Sequence, residues 1–235
     1  MGGIIVIGLI FMAIGWFVSN KLKRKFSEYS KVGLSNGLSG AEIAKKMLNE
    51  NNIYDVKIIQ VDGQLTDHYN PLDKTVNLSA DVYHGRSVSA AAVAAHECGH
   101  AVQHANAYAA LTLRSAMVPA VNVASKVMGM MNMFLMMGGI YMISQGSAFG
   151  NMILLILIAA NAAIAIFATI TLPVEFDASN RALKWMETRN IVNQGEHAMA
   201  KDALHWAAMT YLVGALAAIA NLAYYVMMFL GRRDD

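Results

Sequence analysis

Four long apolar runs, residues 4–18, 118–143, 152–172 and 207–230, constrain this chain more than any other feature, because Lys126 is the only charged residue within them. Hydrophobic residues make up 56% of the chain and charged residues 14%, and the apolar residues are bunched into these runs instead of being spread at core spacing. An ordinary soluble domain is excluded. A helix of about 20 residues covers the roughly 30 Å of bilayer hydrocarbon, and the first run reaches that length if residues 2–20 are counted. Lys21, Lys23, Arg24 and Lys25 follow it directly. A cleavable signal peptide carries its charges before the apolar core and a small-residue cleavage site after it, so this segment is read as an uncleaved anchor. The positive-inside rule puts its basic end in the cytoplasm.

The composition between residues 26 and 114 is that of a soluble domain. Ser39 and Glu42 form a capping-box pair ahead of an amphipathic stretch carrying Ile43, Ala44, Met47 and Leu48, which predicts a helix to about residue 51. Residues 54–61 and 75–78 alternate around the turn formers Asn70, Pro71 and Asp73, as two or three short strands would. From Ser87, an expected N-cap, residues 88–105 are alanine-rich and free of proline, which predicts one helix. In the second apolar run Pro119, Asn122 and Lys126 assign the first part to the interface or to other helices, and residues 127–143 are its best core. Residues 144–151 are an uncharged turn that would make runs two and three an antiparallel hairpin. The expected fold class is mainly α, a multi-pass membrane protein with about four transmembrane helices and a small α+β catalytic domain. Its divisions are an anchor at 1–20, the catalytic domain at 21–116, the hairpin at 117–172, a charged helical segment at 173–206 and a last helix and tail at 207–235. The net charge of +2 is too small for a nucleic-acid partner. With Cys98 the only cysteine, neither a disulfide nor a cysteine zinc finger can form, so any metal must use histidine and carboxylate.

His96-Glu97-Cys98-Gly99-His100 matches H-E-x-x-H. Positions i and i+4 of a helix share a face about 5–6 Å apart, so both imidazoles can hold one ion while the Glu97 carboxylate takes the proton of a zinc-activated water. The bland reading is an exposed helix with two histidines and an acid. The uncharged neighbours Val93, Ala94, Ala95, Ala101 and Val102 argue for a buried helix instead. Catalytic zinc has three protein ligands and one open position. The metzincin extension would need glycine at 103 and histidine at 106, where Gln103 and Asn106 stand, so that class is excluded. A gluzincin takes a glutamate from a later helix. The later acids are Glu175, Asp177, Glu187, Glu196, Asp202 and the terminal pair, and Glu175 is singled out by its place at the end of an apolar run, after Thr171-Leu172-Pro173-Val174. Asp177 or His104 would be next in line.

The segments LTDHYNP (65–71), DVYHGRS (81–87), AAHECGHAVQ (94–103), LRSAMVP (113–119) and TLPVEFDAS (171–179) closely resemble the bacterial YugP-type membrane zinc metallopeptidases. The resemblance implies a multi-spanning membrane protein with a gluzincin-like site near the membrane surface. It extends to the group of HtpX and the CAAX prenyl proteases, in which the third ligand opens a Glu-x-x-Ala-Asp motif. Here Ser179 stands where that motif ends in aspartate.

Asp177 and Ser179 are candidates to hydrogen-bond the free ring nitrogens of the two histidines. His104, one turn beyond His100, is either a group behind the ligands or a polar residue at an exposed helix end. His205 or Tyr211 could donate to the developing oxyanion, although Tyr211 also fits an interfacial aromatic. His68, Tyr83 and His84 fit local turn bonding, and the methionines fit flexible packing. The expected function is a zinc-dependent endopeptidase, with one Zn2+ per chain, acting on membrane or unfolded polypeptides from the cytoplasmic side of the cell membrane. Its partners would be the polypeptide substrate, lying along a strand between residues 54 and 78, and the lipid bilayer; no oligomer is indicated. An inactive zinc-binding scaffold would not need Glu97, and a channel would carry charge at mid-membrane.

Overall fold

The computed structural model of the chain describes residues 2–139, 143 and 147–231. The elements run α1 (Gly2–Tyr29), α2 (Gly40–Glu50), β1 (Lys57–Val61), β2 (His68–Asn70), β3 (Thr75–Ser79), α3 (Ala80–Tyr83), α4 (Val88–Ala105) and α5 (Ala109–Phe134), then a π-helical turn (Leu135–Gly139), α6 (Ala148–Thr188) and α7 (Gln194–Leu230). They form two compact units: Met1–Trp16, Leu113–Leu172 and Tyr211–Asp235 in one, Phe17–Thr112 and Pro173–Thr210 in the other.

Among the described residues, three helices are long and apolar enough to cross a membrane: α1 from Gly3, α6 and α7. About four were expected. The run at 118–143 falls partly in α5 and the π-helical turn, where Gly138 at φ 101° leaves helical geometry, and residues 140–142 lie outside the described residues, as do 144–146 of the expected turn and the terminal Arg232, Arg233, Asp234 and Asp235. The α1 helix is longer than the expected anchor because the lysines, arginine and glutamate after residue 20 are good helix formers, with no glycine or proline before Gly33.

In the first unit the interior is built on Ile143, Ile153, Leu154, Leu157 and Tyr225, with Met128 and Met131 filling against them. Buried Asn161 satisfies its amide in this apolar setting by donating to Leu157 C=O at 2.8 Å and to Met128 Sδ at 3.2 Å. Ile5, Met133, Ile166 and Met227 are instead more than half exposed, the outward apolar surface that a lipid-facing helix presents.

The second unit is organised around α4. Its alanines let neighbours approach closely, and its core joins Ala91, Ala95 and Cys98 to Ile43 and Met47 of α2, Val76 and Leu78 of β3, and Ala182 and Met186 of α6. The Cys98 thiol is fully buried and bonds Ala44 C=O, and burial pushes its pKa up, which makes it packing rather than chemistry. Both expected caps are present: Ser39 and Glu42 form the reciprocal box on α2, and the Ser87 hydroxyl accepts from Ala90 N–H at the start of α4. The sheet has the order β1-β3-β2, with β1 parallel and β2 antiparallel to β3. Of the expected strands, the one at 75–78 is therefore central, with all five residues of β3 buried, and the edges of this sheet belong to β1 and β2. Glu196, buried at the start of α7, accepts from Ser35 N–H at 2.6 Å, Ser35 Oγ at 3.0 Å and Asn193 N–H at 2.8 Å. This acid ties the loop after α1 to α7.

Candidate metal centre

The Ser87 cap starts α4 in a register that turns His96 and His100 to the same side, and α6 passes that side with Glu175. A Cβ on Gly99 would stand 2.5 Å from Ala178 C=O, so the glycine is what lets the two backbones approach this closely. Glu175 Oε2 lies 3.3 Å from His96 Nε2 and 3.6 Å from His100 Nε2, and one ligand atom from each of the three residues lies within 4.8 Å of the others. All three side chains are largely enclosed, with Glu175 only 2% exposed.

The imidazoles are held from behind. Gln103 is fully buried, and its Nε2 donates to Val174 C=O and to Asp177 Oδ2, both at 2.8 Å. Those two acceptors fix the amide, so its Oε1, 3.0 Å from His100 Nδ1, accepts the ring N–H. When neutral, His100 therefore keeps its proton on Nδ1 and offers the Nε2 lone pair to a metal. Ser179 Oγ, 3.1 Å from His96 Nδ1, holds the other ring from behind with a hydroxyl that can either donate or accept. Asp177, the other candidate for a ring nitrogen, instead accepts from Gln103 and from Arg181 Nε at 2.5 Å, whose guanidinium lies over the Tyr108 ring. Gln103 entered the sequence reading only as a residue that breaks the metzincin pattern. No signal in its own helix marks this role, since the amide's partners lie on α6.

The donor set suits zinc: two imidazoles held from behind and one carboxylate leave one position of a tetrahedron open. Burial alone would push the proton off His100, but its bond with Glu175 and the charges of Glu97 and Glu175 outweigh burial and raise its pKa. A metal must displace that proton, so affinity falls as pH drops. Glu97, buried on α4 beside His96, contributes its field to the same cluster.

The remaining expected residues have other partners. His104 Nδ1 is 2.7 Å from Tyr69 Oη of β2, His68 bonds Thr66 C=O, and His84 bonds Gln60. His205 is exposed, with its ring edge-on to Trp206, and Tyr211 belongs to the first unit.

Comparison with known proteins agrees with this chemistry. A family model described as "Putative neutral zinc metallopeptidase" matches residues 4–230. The chain is 42% identical over 224 residues to the "Putative membrane protease YugP" of Bacillus subtilis (strain 168), with 95% of each chain covered. No solved structure matches it. A family match over nearly the whole chain, on a sequence that brings two histidines and a glutamate to one buried point, places this protein in the neutral zinc metallopeptidase family.

Proposed function

We propose that the chain is a membrane-embedded zinc-dependent endopeptidase that hydrolyses peptide bonds of membrane or unfolded proteins. The observation that carries this reading is the buried meeting of His96, His100 and Glu175 with Glu97 next in sequence to the first ligand. His96 Nε2, His100 Nε2 and a Glu175 carboxylate oxygen hold one zinc per chain. When bound, the ion supplies the Lewis acidity that makes water nucleophilic at neutral pH. The Glu97 carboxylate would take the proton of the attacking water and hand it to the leaving nitrogen, and His205 would be the side-chain donor for the oxyanion. Comparative membrane proteomics of cells carrying wild type and Glu97→Gln tests the activity. Fragments present with wild type should vanish with the variant and on zinc chelation, and identical fragment sets in all three samples would sink it.

The site also bears on topology. The chain leaves the second unit after Thr112 and returns at Pro173, with Glu175 joining ligands from the earlier segment. If α6 crosses the bilayer, a second crossing must lie between residues 113 and 147, which supports four spans and a catalytic side that the basic cluster in the last turns of α1 assigns to the cytoplasm of a multi-pass cell-membrane protein. On a Cys98→Ser background, Ser30→Cys and Asn190→Cys should react from the cytoplasmic side and Ser147→Cys from outside. Reaction of the first two from opposite sides would rule out this arrangement.

A further inference from the structure

A cleft of about 810 Å3 opens between the C-terminal part of α1 and the first turn of α4, a size within the roughly 300–1,000 Å3 of small-ligand sites. Lys23, Lys31 and Arg86 line it together with Ser27 and Ser30, and Asp81 is the one carboxylate among its walls. The three cations are unequally engaged. Arg86 bonds Gly37 C=O and pairs with Glu42 at 3.2 Å, whereas Lys23 and Lys31 are exposed and, among the described residues, form no ion pair. Two uncommitted ammonium groups and a guanidinium facing one carboxylate make a site for an anion.

The place of the cleft along α1 narrows the choice of anion. About 20 helical residues cross the hydrocarbon, and the headgroup layer adds roughly 5–7 Å on each side, or about four to five further residues. Counted from Gly3, where the candidate span begins, headgroup depth falls at about residues 23–27. Lys23 and Ser27 stand there and line the cleft. A soluble phosphate compound would need the same charges, but nothing would tie its site to this depth. We infer that the cleft binds the headgroup of an anionic phospholipid, with its phosphodiester between Lys23, Lys31 and Arg86 and its acyl chains along the apolar part of α1. The inference uses α1 as a membrane helix and makes no use of zinc or of peptide hydrolysis, so it stands or falls separately from the proposed activity.

The test uses the full-length protein in neutral detergent, titrated with phosphatidylglycerol, phosphatidylcholine and inorganic phosphate, with bound lipid counted by native mass spectrometry. One phosphatidylglycerol should be retained per chain at concentrations that leave no phosphatidylcholine bound, and inorganic phosphate should not displace it at equal concentration. Lys23→Gln/Lys31→Gln should weaken that binding by roughly 25-fold, about fivefold for each lysine removed beside a charged headgroup. Lys21→Gln/Arg24→Gln removes the same charge outside the cleft, where Lys21 lies over the Trp206 ring, and should cost less than about threefold. Equal retention of the two lipids, equal losses in the two variants, or full displacement by phosphate would each overturn the inference. The comparison of lipids on the unaltered protein needs no variant, so it holds even if a substitution disturbs folding.

Discussion

Glu175→Ala should leave purification nearly free of zinc, while Glu97→Gln should keep about one zinc per chain and lose peptide hydrolysis by about 10²–10⁴-fold, the usual share of a general base. The difference follows from what each carboxylate touches. Glu175 Oε2 sits within 3.3 and 3.6 Å of the two imidazole nitrogens that would bind the same ion, and its removal leaves two histidines, one ligand short of a catalytic zinc site. Glu97 contributes charge beside the cluster without closing the triad. Gln103→Leu should fall between the two variants. It keeps every ligand but gives up the acceptor that fixes the His100 tautomer, together with the donors to Val174 C=O and Asp177, and groups in that position are worth about 10–100-fold in metal affinity. Gln103→Glu sharpens the comparison, because a carboxylate can still accept from His100 Nδ1–H but cannot donate to either acceptor. Zinc stoichiometry by elemental analysis and affinity by competition with a chromogenic chelator measure the series. Full zinc occupancy in Glu175→Ala would remove that residue from the ligand set.

What could be read from the sequence was local. The capping box at Ser39, the Ser87 cap and the period of the alanine-rich helix depend on neighbours within four residues, and they appear as written. Glu175 could be singled out because few acids follow the H-E-x-x-H motif, an argument from scarcity more than from geometry. The role of Gln103 was out of reach in principle. It depends on Val174 and Asp177, more than seventy positions away, and nothing within its own helix announces them. Strand β2, the third of the two or three strands expected, could not be placed for a related reason. His68 and Asn70 are polar and precede Pro71, so they read as turn, yet they pair with Asn77 and Thr75 because β3 needs a partner on that side. Pro173 misleads in the other direction. It suggests a helix end, but α6 continues through it to Thr188, at the cost of the N–H that would bond Thr169 C=O. That continuation puts Glu175, Asp177 and Ser179 on one rigid helix, with Ser179 against His96 and Asp177 against Gln103.

Gly99→Ala should cost both stability and metal affinity, because the added methyl group would meet the backbone of α6. The two x positions of the H-E-x-x-H motif carry no chemistry, but one of them lies at the closest approach of α4 to α6. A Cβ there would stand 2.5 Å from Ala178 C=O and 3.1 Å from Ala178 Cα, and both neighbours are backbone, which cannot rotate away as a side chain would. The helices must separate, and overpacking of this kind costs about 1–3 kcal/mol. The consequence for the metal should exceed the consequence for stability. His96 and His100 flank Gly99 on one helix, and Glu175 and Ser179 flank Ala178 on the other, so a shift at the contact lengthens every ligand distance that spans the pair. Zinc distances hold within about 0.2 Å of their ideal values in a good site, so a displacement that the fold survives can still abolish tight binding. Gly129→Ala and Gly214→Ala are the controls. Both glycines are helical and have nothing within 4 Å of the added carbon, so each should leave zinc affinity unchanged and leave stability equal or higher by about 0.5–1 kcal/mol. Thermal unfolding and zinc competition on the three variants separate the effects. If Gly99→Ala retains zinc as tightly as the two controls, α4 and α6 do not meet as closely as this site requires.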